Sequence, residues 1–423
     1  MKSLPLFAAA LIAVGGLAHA SESLVLGGSV ENLLTYARDS HPALLAQRHA
    51  AAGAAARIES AGALPDPMFS IELRDFTDAS NNDTGARVDL FPPRIRGAAG
   101  FTVTQSLPWF GKRDLRRALA SAESDVAAHT VAVSWNNLSW QIKQTFAEHY
   151  LQGASLRYGR ENLALLDQLA AIAEVRYANG LAPQQDVISA QTERTALASE
   201  LVTLEGGSSR SSARMKSLLG RPSGLKLKAP ERLRELPTKL DGAQLEARLL
   251  ARNPLLAADA ARIAAAEKNR ELTWRERYPD VNVGLAATQQ RNLPTSYNLM
   301  FEINIPLQQG ARRARELEAE RELEAARARR AATQLEQQAA IAENLAALQA
   351  AQRVETLIAT SLLPQADLTL QAALIGYETG RVDFAAVLDA QRRIRQARAA
   401  QVRARVEQEL RRADIERALG EEL

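Results

Sequence analysis

The sequence predicts a mainly α-helical, internally duplicated chain with a small β part. Three observations lead there. First, the segment at Tyr177 is echoed 200 residues later: Tyr177 and Tyr377, Gly180 and Gly380, Val187 and Val387, Ala190 and Ala390, and Gln191 and Gln391 share that separation. So do Leu219-Gly220 and Leu419-Gly420, where each helical run ends. Second, two Ala/Leu/Glu/Arg-rich stretches, about 112–179 and 311–379, hold a helical pattern for roughly 100 Å at 1.5 Å per residue. Third, four short stretches alternate apolar and polar residues with period two, two in each half.

In chain order, residues 1–20 read as a secretory signal. Lys2 supplies the positive start, Leu6 to Leu17 the apolar stretch, and Ala18-His19-Ala20 a small-x-small cleavage site. The expected division is residues 21–220 for a first repeat, 221–240 for a linker marked by Pro222, Pro230 and Pro237, and 241–423 for a second repeat. The chain has no Cys, so export would add no disulfide and no lipid at a mature N-terminal Cys. The 52 basic and 49 acidic residues are interspersed, so no like-charge block reads as a nucleic-acid arm.

Each repeat opens with a short helix. Ser29 can cap the first, with Val30, Leu33, Leu34 and Ala37 on one face and a break at His41-Pro42. An Ala-rich helix follows to Leu64. The unit returns with Leu245, Leu249 and Leu250 ahead of Asn253-Pro254, and Leu64-Pro65-Asp66 matches Tyr278-Pro279-Asp280.

After each Pro-Asp comes the alternation. Phe69, Ile71 and Leu73 interleave with Ser70, Glu72 and Arg74; Phe101 and Val103 with Thr102 and Thr104. In the second half, Val281, Val283 and Leu285 interleave with Asn282, Gly284 and Ala286, and Leu299, Phe301, Ile303 and Ile305 with Asn298, Glu302 and Asn304. Four one-sided strands of roughly 9–11 residues fit a transmembrane barrel. The same alternation fits a half-buried sheet in a soluble domain. Polar connections join each pair, 77–99 and 289–296.

Each pair then runs through a Pro and a Gly into a basic pair: Leu107-Pro108-Trp109-Phe110-Gly111-Lys112-Arg113 and Ile305-Pro306-Leu307-Gln308-Gln309-Gly310-Ala311-Arg312-Arg313. The helices that begin there are too long for a globular domain. Leu115, Leu119, Ala122, Val126, His129 and Val133 step by four and three, a coiled-coil seam. Returning helices run from Asp186 to Leu219 and from Asp383 to Leu419, the first loosened at Gly206-Gly207-Ser208-Ser209. Asp186 and Asp383 also suit helix N-caps, and the tip glycines suit left-handed helix ends.

No catalytic set is visible: there is no HExxH, GxSxG or phosphate-binding Gly loop. His41, His49, His129 and His149 are scattered without metal-ligand spacing. The expectation is a non-enzyme without cofactor or bound metal.

The signal segment, the duplicated helix–strand–strand–helix–tip–helix unit and the tip residues together resemble the TolC-type outer-membrane efflux family. Arg176-Tyr177, Gly180-Leu181 and Asp186-Val187 are similar to its first tip. Tyr377, Gly380 and Val387-Leu388-Asp389-Ala390 are similar to its second. The junction from Leu107 to Arg113 is similar to the heavy-metal branch, the CusC/CzcC-like channels. The resemblance implies a homotrimer in which twelve strands close one β-barrel in the outer membrane of a Gram-negative bacterium. A long α-helical coiled-coil barrel continues it into the periplasm. It implies a periplasmic adaptor docked on the tips at Arg176, Tyr177, Gly180, Leu181, Tyr377, Gly380 and Arg381, and an inner-membrane pump of RND type behind it. It also implies a gate at Asp186, Tyr377 and Asp389, although Ala386 and Val382 stand where the family pattern has an Asp and an Arg. The cargo expected on this reading is a heavy-metal cation. A type I secretion or drug efflux channel is the alternative within transport. A soluble periplasmic coiled-coil scaffold or adaptor is the alternative outside it.

Overall fold

The structure is a computed structural model describing residues 26–74, 87–88, 95–96, 98–221, 227–235, 240–289 and 294–423. The signal segment, most of the 77–99 connection, positions 290–293 and parts of the 221–240 linker lie outside the described residues.

Both halves are built alike. In the first, α1 (Val30–Ser40) and α2 (Pro42–Ala61) lead to β1 (Met68–Arg74) and β4 (Ala98–Leu107). Between them, β2 (Arg87–Val88) pairs antiparallel with β3 (Ile95–Arg96), a small ribbon the sequence pattern did not announce. The helix α3 (Lys112–Ala178) then runs 67 residues without a break, and α4 (Gln184–Leu218) returns. In the second half, α5 (Gly242–Arg252) and α6 (Pro254–Arg275) lead to β5 (Val281–Gln289) and β6 (Ser296–Ile303). There follow α7 (Gln309–Leu357), α8 (Leu363–Glu378) and α9 (Phe384–Leu419).

The long second-half helix is therefore not uniform. A π-helical turn, Ile358–Leu362, separates α7 from α8. Pro364 has no amide hydrogen and its ring crowds the carbonyl four residues earlier. Widening the helix by one turn relieves that clash while the axis carries on.

Three local expectations need correction. Ser29 occupies the N-cap of α1 but makes no side-chain cap bond. Asp186 is no cap either: α4 begins at Gln184 behind Pro183, which leaves Asp186 in the first turn. Gly206 and Gly207 do not loosen α4, which passes through them intact. Gly207 is buried, and a Cβ there would lie 2.7 Å from the Gln152 side chain, so the glycine serves close packing against α3. Asp383 does cap α9, accepting the Ala386 amide at 2.9 Å.

The short helices dock midway along the long ones, where the returning helices end. Val30, Leu33, Leu34 and Ala37 of α1 join Leu138, Ile142 and Phe146 of α3 with Met215 and Leu219. Leu245 and Leu249 of α5 join Ile341, Leu348, Ile415 and Leu419 in the same way. The returning helices end in left-handed glycines, Gly220 (φ 73°) against Pro42 and Gly420 (φ 81°) against Pro254. The correspondence of His41-Pro42 with Asn253-Pro254 is thus spatial as well as sequential.

The four long strands form one antiparallel sheet in the order β1-β4-β5-β6. Phe69 faces Val103, Val103 faces Leu285, and Leu285 faces Leu299. Every apolar odd position therefore lies on one face, and Ser70, Thr102, Ala286 and Asn298 lie on the other. Among the described residues nothing covers the apolar face: Phe69 is 61% exposed, Leu285 56% and Phe301 65%. A half-buried sheet of a soluble domain would have its apolar side against a core, and this one does not.

Candidate functional site

At the far end of the long helices the two tips lie side by side. Each ends its incoming helix with the same backbone turn. At the first, the Gly180 amide donates to Tyr177 O at 2.9 Å and the Leu181 amide to Arg176 O at 2.8 Å. At the second, Gly380 donates to Tyr377 O at 3.1 Å and Arg381 to Gly376 O at 2.7 Å. These paired bonds satisfy the last carbonyls and require a left-handed residue, met by glycine at φ 73° and 71°. No atom lies within 4 Å of where either Cβ would be, so conformation alone selects glycine there.

The side chains around the two turns differ. Tyr377 is buried, its ring 5.2 Å from Phe384, within a cluster of Leu166, Leu169, Ala173, Ala190, Leu197 and Val387. Its hydroxyl donates to Asp186 Oδ2 at 3.3 Å, and the Arg176 guanidinium lies 4.7 Å from its ring centroid. Arg176 also donates to the Glu378 carbonyl at 3.1 Å. Burial, with Asp186 next to the hydroxyl, pushes the Tyr377 phenol above its ordinary value. Tyr177 is 47% exposed and Leu181 66% exposed.

Of the residues expected to dock a partner, Tyr177, Gly180, Leu181, Gly380 and Arg381 are exposed at this end, and Arg176 is half-buried. Tyr377, also expected at the docking surface, is buried, packed under Arg176 and against Phe384. Of the expected gate residues, Asp186 and Tyr377 are brought together, whereas Asp389 is exposed and bonds Arg393 one turn along its own helix at 2.8 Å.

The other end of the helices meets the sheet through a second constellation. Lys112, almost fully buried, donates to Asp280 Oδ1 and to Tyr278 O, both at 2.8 Å. The Trp109 amide donates to the same Asp280 oxygen at 2.8 Å, and Trp109 stacks on Tyr278 at 5.5 Å. Lys112 was visible only as half of a basic pair, because its partner lies 168 residues away.

Sequence reasoning also missed a buried charge cluster midway along the helices. Lys143 meets Glu416 at 2.7 Å, and Arg234 of the linker meets both Glu409 (2.6 Å) and Glu416 (3.0 Å). Burial raises the Glu409 carboxyl; at Glu416 burial acts the same way, but Lys143 and Arg234 outweigh it and hold that carboxyl low. His149 is buried beside Ser211, Nδ1 to Oγ 2.8 Å, and burial lowers its pKa. Among the described residues no three His, Cys, Asp or Glu side chains come together to hold a metal, and no helix is long and apolar enough to cross a membrane.

Residues 245–421 match the family model of the outer membrane efflux protein. No curated protein matches the chain. Among solved structures, CusC, described for conformational changes accompanying folding and transmembrane channel formation, superposes with a TM-score of 0.77 at 18% identity. That match covers 93% of this chain and 92% of CusC. The outer-membrane channel OprN gives 0.79 at 19% identity over 92% of this chain and 89% of its own. The outer membrane protein VceC of Vibrio cholerae gives 0.75 at 19% identity over 93% and 96%. The shared quantity is the fold, over nearly the whole length of each chain.

Proposed function

We propose that this chain, with an outer membrane efflux domain at residues 245–421 and the fold of outer-membrane channels along its length, is the exit duct of a tripartite efflux system. One observation carries the reading. The sheet shows lipid-compatible side chains on one whole face, uncovered by any of the described residues, and it is mounted on helices roughly 100 Å long. A sheet with an uncovered apolar face is tolerated in a bilayer, provided its edges are closed. Among the described residues the outer edges of β1 and β6 have no partner strand, which supports closure by further copies into a homotrimeric twelve-strand barrel. The polar face then lines an aqueous lumen.

The opposite end, with Tyr177, Gly180, Leu181, Gly380 and Arg381 exposed, takes a periplasmic adaptor, and through it an inner-membrane pump of RND type. The Arg176–Tyr377–Asp186 contact holds the two tips together and acts as the gate, to which Asp389 adds carboxylate charge near the mouth. A carboxylate-lined mouth favours cations. With the junction from Leu107 to Arg113 similar to the metal branch, heavy-metal cations are the proposed cargo. The duct conducts them passively.

The test is the native mass of the full chain extracted from outer membranes in mild detergent, followed by metal tolerance of cells lacking the gene. A trimer whose loss sensitises cells to metal ions, and not to drugs, supports the reading. A trimer whose loss affects drugs or protein export moves the cargo. A water-soluble monomer in the periplasm ends the duct and favours a scaffold.

A further inference from the structure

Directly beneath the sheet, α3, α6 and α7 enclose a groove of about 760 Å³, room enough for part of an organic ligand. Two kinds of residue line it. Leu115, Trp274 and Leu317 supply apolar surface, and the last two are exposed. Around them stand Arg270, Arg275, Arg277 and Arg313. The Arg277 guanidinium lies 4.0 Å from the Trp274 ring centroid and bonds Glu316 at 3.0 Å. The other three arginines have no carboxylate partner among the described residues. Arg275 donates to the Phe110 carbonyl at 3.3 Å, and Arg270 and Arg313 make no hydrogen bond or ion pair. Of the glutamates at the groove, Arg277 holds Glu316 and Lys268 holds Glu271 at 3.1 Å, which leaves Glu320 alone against three cations. Guanidinium groups in excess around one concavity suit an oxyanion, because each presents a planar fork that matches phosphate oxygens.

The place of the groove in the fold narrows the choice of anion. Trp274 meets Tyr278 edge-on at 5.8 Å, and Tyr278 stacks on Trp109. Phe110, whose carbonyl Arg275 holds, is 84% exposed. Two of the chain's four tryptophans therefore sit with a tyrosine at the end of the strands, the composition of a membrane–water boundary. The wall of α6 and α7 is also two-sided, as the sheet is. Asn269, Thr273, Glu276, Arg315, Glu318 and Glu322 line a second depression, whose one apolar member is Ala319. Arg313 and Arg315 are about 200° apart around the α7 axis, so the groove and the polar depression open to opposite sides.

We infer that this groove binds an anionic phospholipid by its phosphate, with Arg270, Arg275 and Arg313 on the headgroup and Leu115, Trp274 and Leu317 against the start of its acyl chains. The groove lies on the side that continues the apolar face of the sheet, and the polar depression on the side that continues the polar face. The acyl chains then run along the apolar strands while the phosphate stays level with the tryptophans. Basic pockets beside a membrane-embedded segment select anionic headgroups in this way. A zwitterionic lipid brings its own cation to the three arginines and gains less. This inference rests on the reading of the sheet as part of a membrane barrel and is independent of the cargo.

Native mass spectrometry of the full chain in mild detergent, stripped of lipid and titrated with phosphatidylglycerol or phosphatidylcholine, tests it. One phosphatidylglycerol per chain should bind, about tenfold or more tighter than phosphatidylcholine. Arg270→Glu and Arg313→Glu should each weaken phosphatidylglycerol by about tenfold or more. Arg315→Glu makes the same charge change on the opposite side of α7 and should leave the affinity within about twofold. Equal weakening by Arg313→Glu and Arg315→Glu would reduce the effect to net charge and overturn the site. Equal binding of the two lipids would overturn it as well. Displacement of phosphatidylglycerol by an equal concentration of inorganic phosphate would make the ligand a free anion and overturn the lipid. The oligomeric mass in the same spectra keeps this separate from the duct. A membrane-extracted trimer without lipid preference removes the site and leaves the barrel standing, and a water-soluble monomer removes both.

Discussion

The two helical tips share a backbone and divide the side chains between them. Both turns close with the same pair of hydrogen bonds and a left-handed glycine, so the duplication fixed the geometry. The residues at matching positions have since separated. Arg176 stands opposite Gly376 in the repeat, Asp186 opposite Ala386, and Gln184 opposite Phe384. The first tip contributes the charges and the second the buried aromatic pair, so the Arg176–Tyr377–Asp186 contact exists once per chain. Among the described residues Tyr177 has neither a carboxylate partner nor an apolar roof. Repetition therefore yields one closed seam and one open seam, and the open one is the surface proposed above for a partner.

The largest effect that tests this contrast is Phe384→Ala. Removing a fully buried aromatic should loosen the second tip by about 3–5 kcal/mol. At the matching, exposed position, Gln184→Ala should stay within about 0.5 kcal/mol. Hydrogen exchange of the tip amides reads both, and equal losses would break the comparison. Next are the turns themselves: Gly180→Ala and Gly380→Ala should each cost about 1–2 kcal/mol, and by equal amounts, because both force an L-residue into the left-handed region without a clash. Tyr377→Phe should cost about 1 kcal/mol through the bond lost to Asp186, while Tyr177→Phe should leave the tip unchanged.

A pH experiment sharpens the same point. The Tyr377 phenol is raised above its ordinary value of 10.0, so its contribution is fully present below that pH. It is lost only as pH rises through the higher folded-state value. The difference in phenolate absorbance between the parent and Tyr377→Phe should therefore titrate above 10.0, and a midpoint below it would contradict the buried, Asp186-bonded hydroxyl. The smallest effect belongs to Asp389: its pair with Arg393 is exposed on both sides, so Asp389→Asn should change stability by less than about 1 kcal/mol. Any change in ion conduction by that variant would then report charge at the mouth and not folding.

Features written in local pattern were legible before the structure. Period-two alternation gave the four strands, the tip glycines gave the turns, and the Pro-Asp junctions gave the strand starts. What escaped depends on distance or packing. The π turn ahead of Pro364 was passed over although a Pro inside a helical pattern signals a break or kink; what the sequence does not say is that the helix widens there and carries on. Gly207 reads as a helix breaker until Gln152 is seen against it. The Lys143, Arg234, Glu409 and Glu416 cluster joins residues as far as 273 positions apart, and nothing in their spacing announces it. At the tips, Tyr177 and Tyr377 looked equivalent, and only the packing of Phe384 separates them.

The account depends most on the sheet having lipid on one side and water on the other. Single cysteines at Asn282, Val283, Leu285 and Ala286, labelled with a fluorophore in the full chain reconstituted into vesicles, test this directly. The account predicts quenching by a membrane-embedded quencher at Val283 and Leu285, and by a water-soluble one at Asn282 and Ala286. Access from water at all four positions, with no alternation, would contradict it.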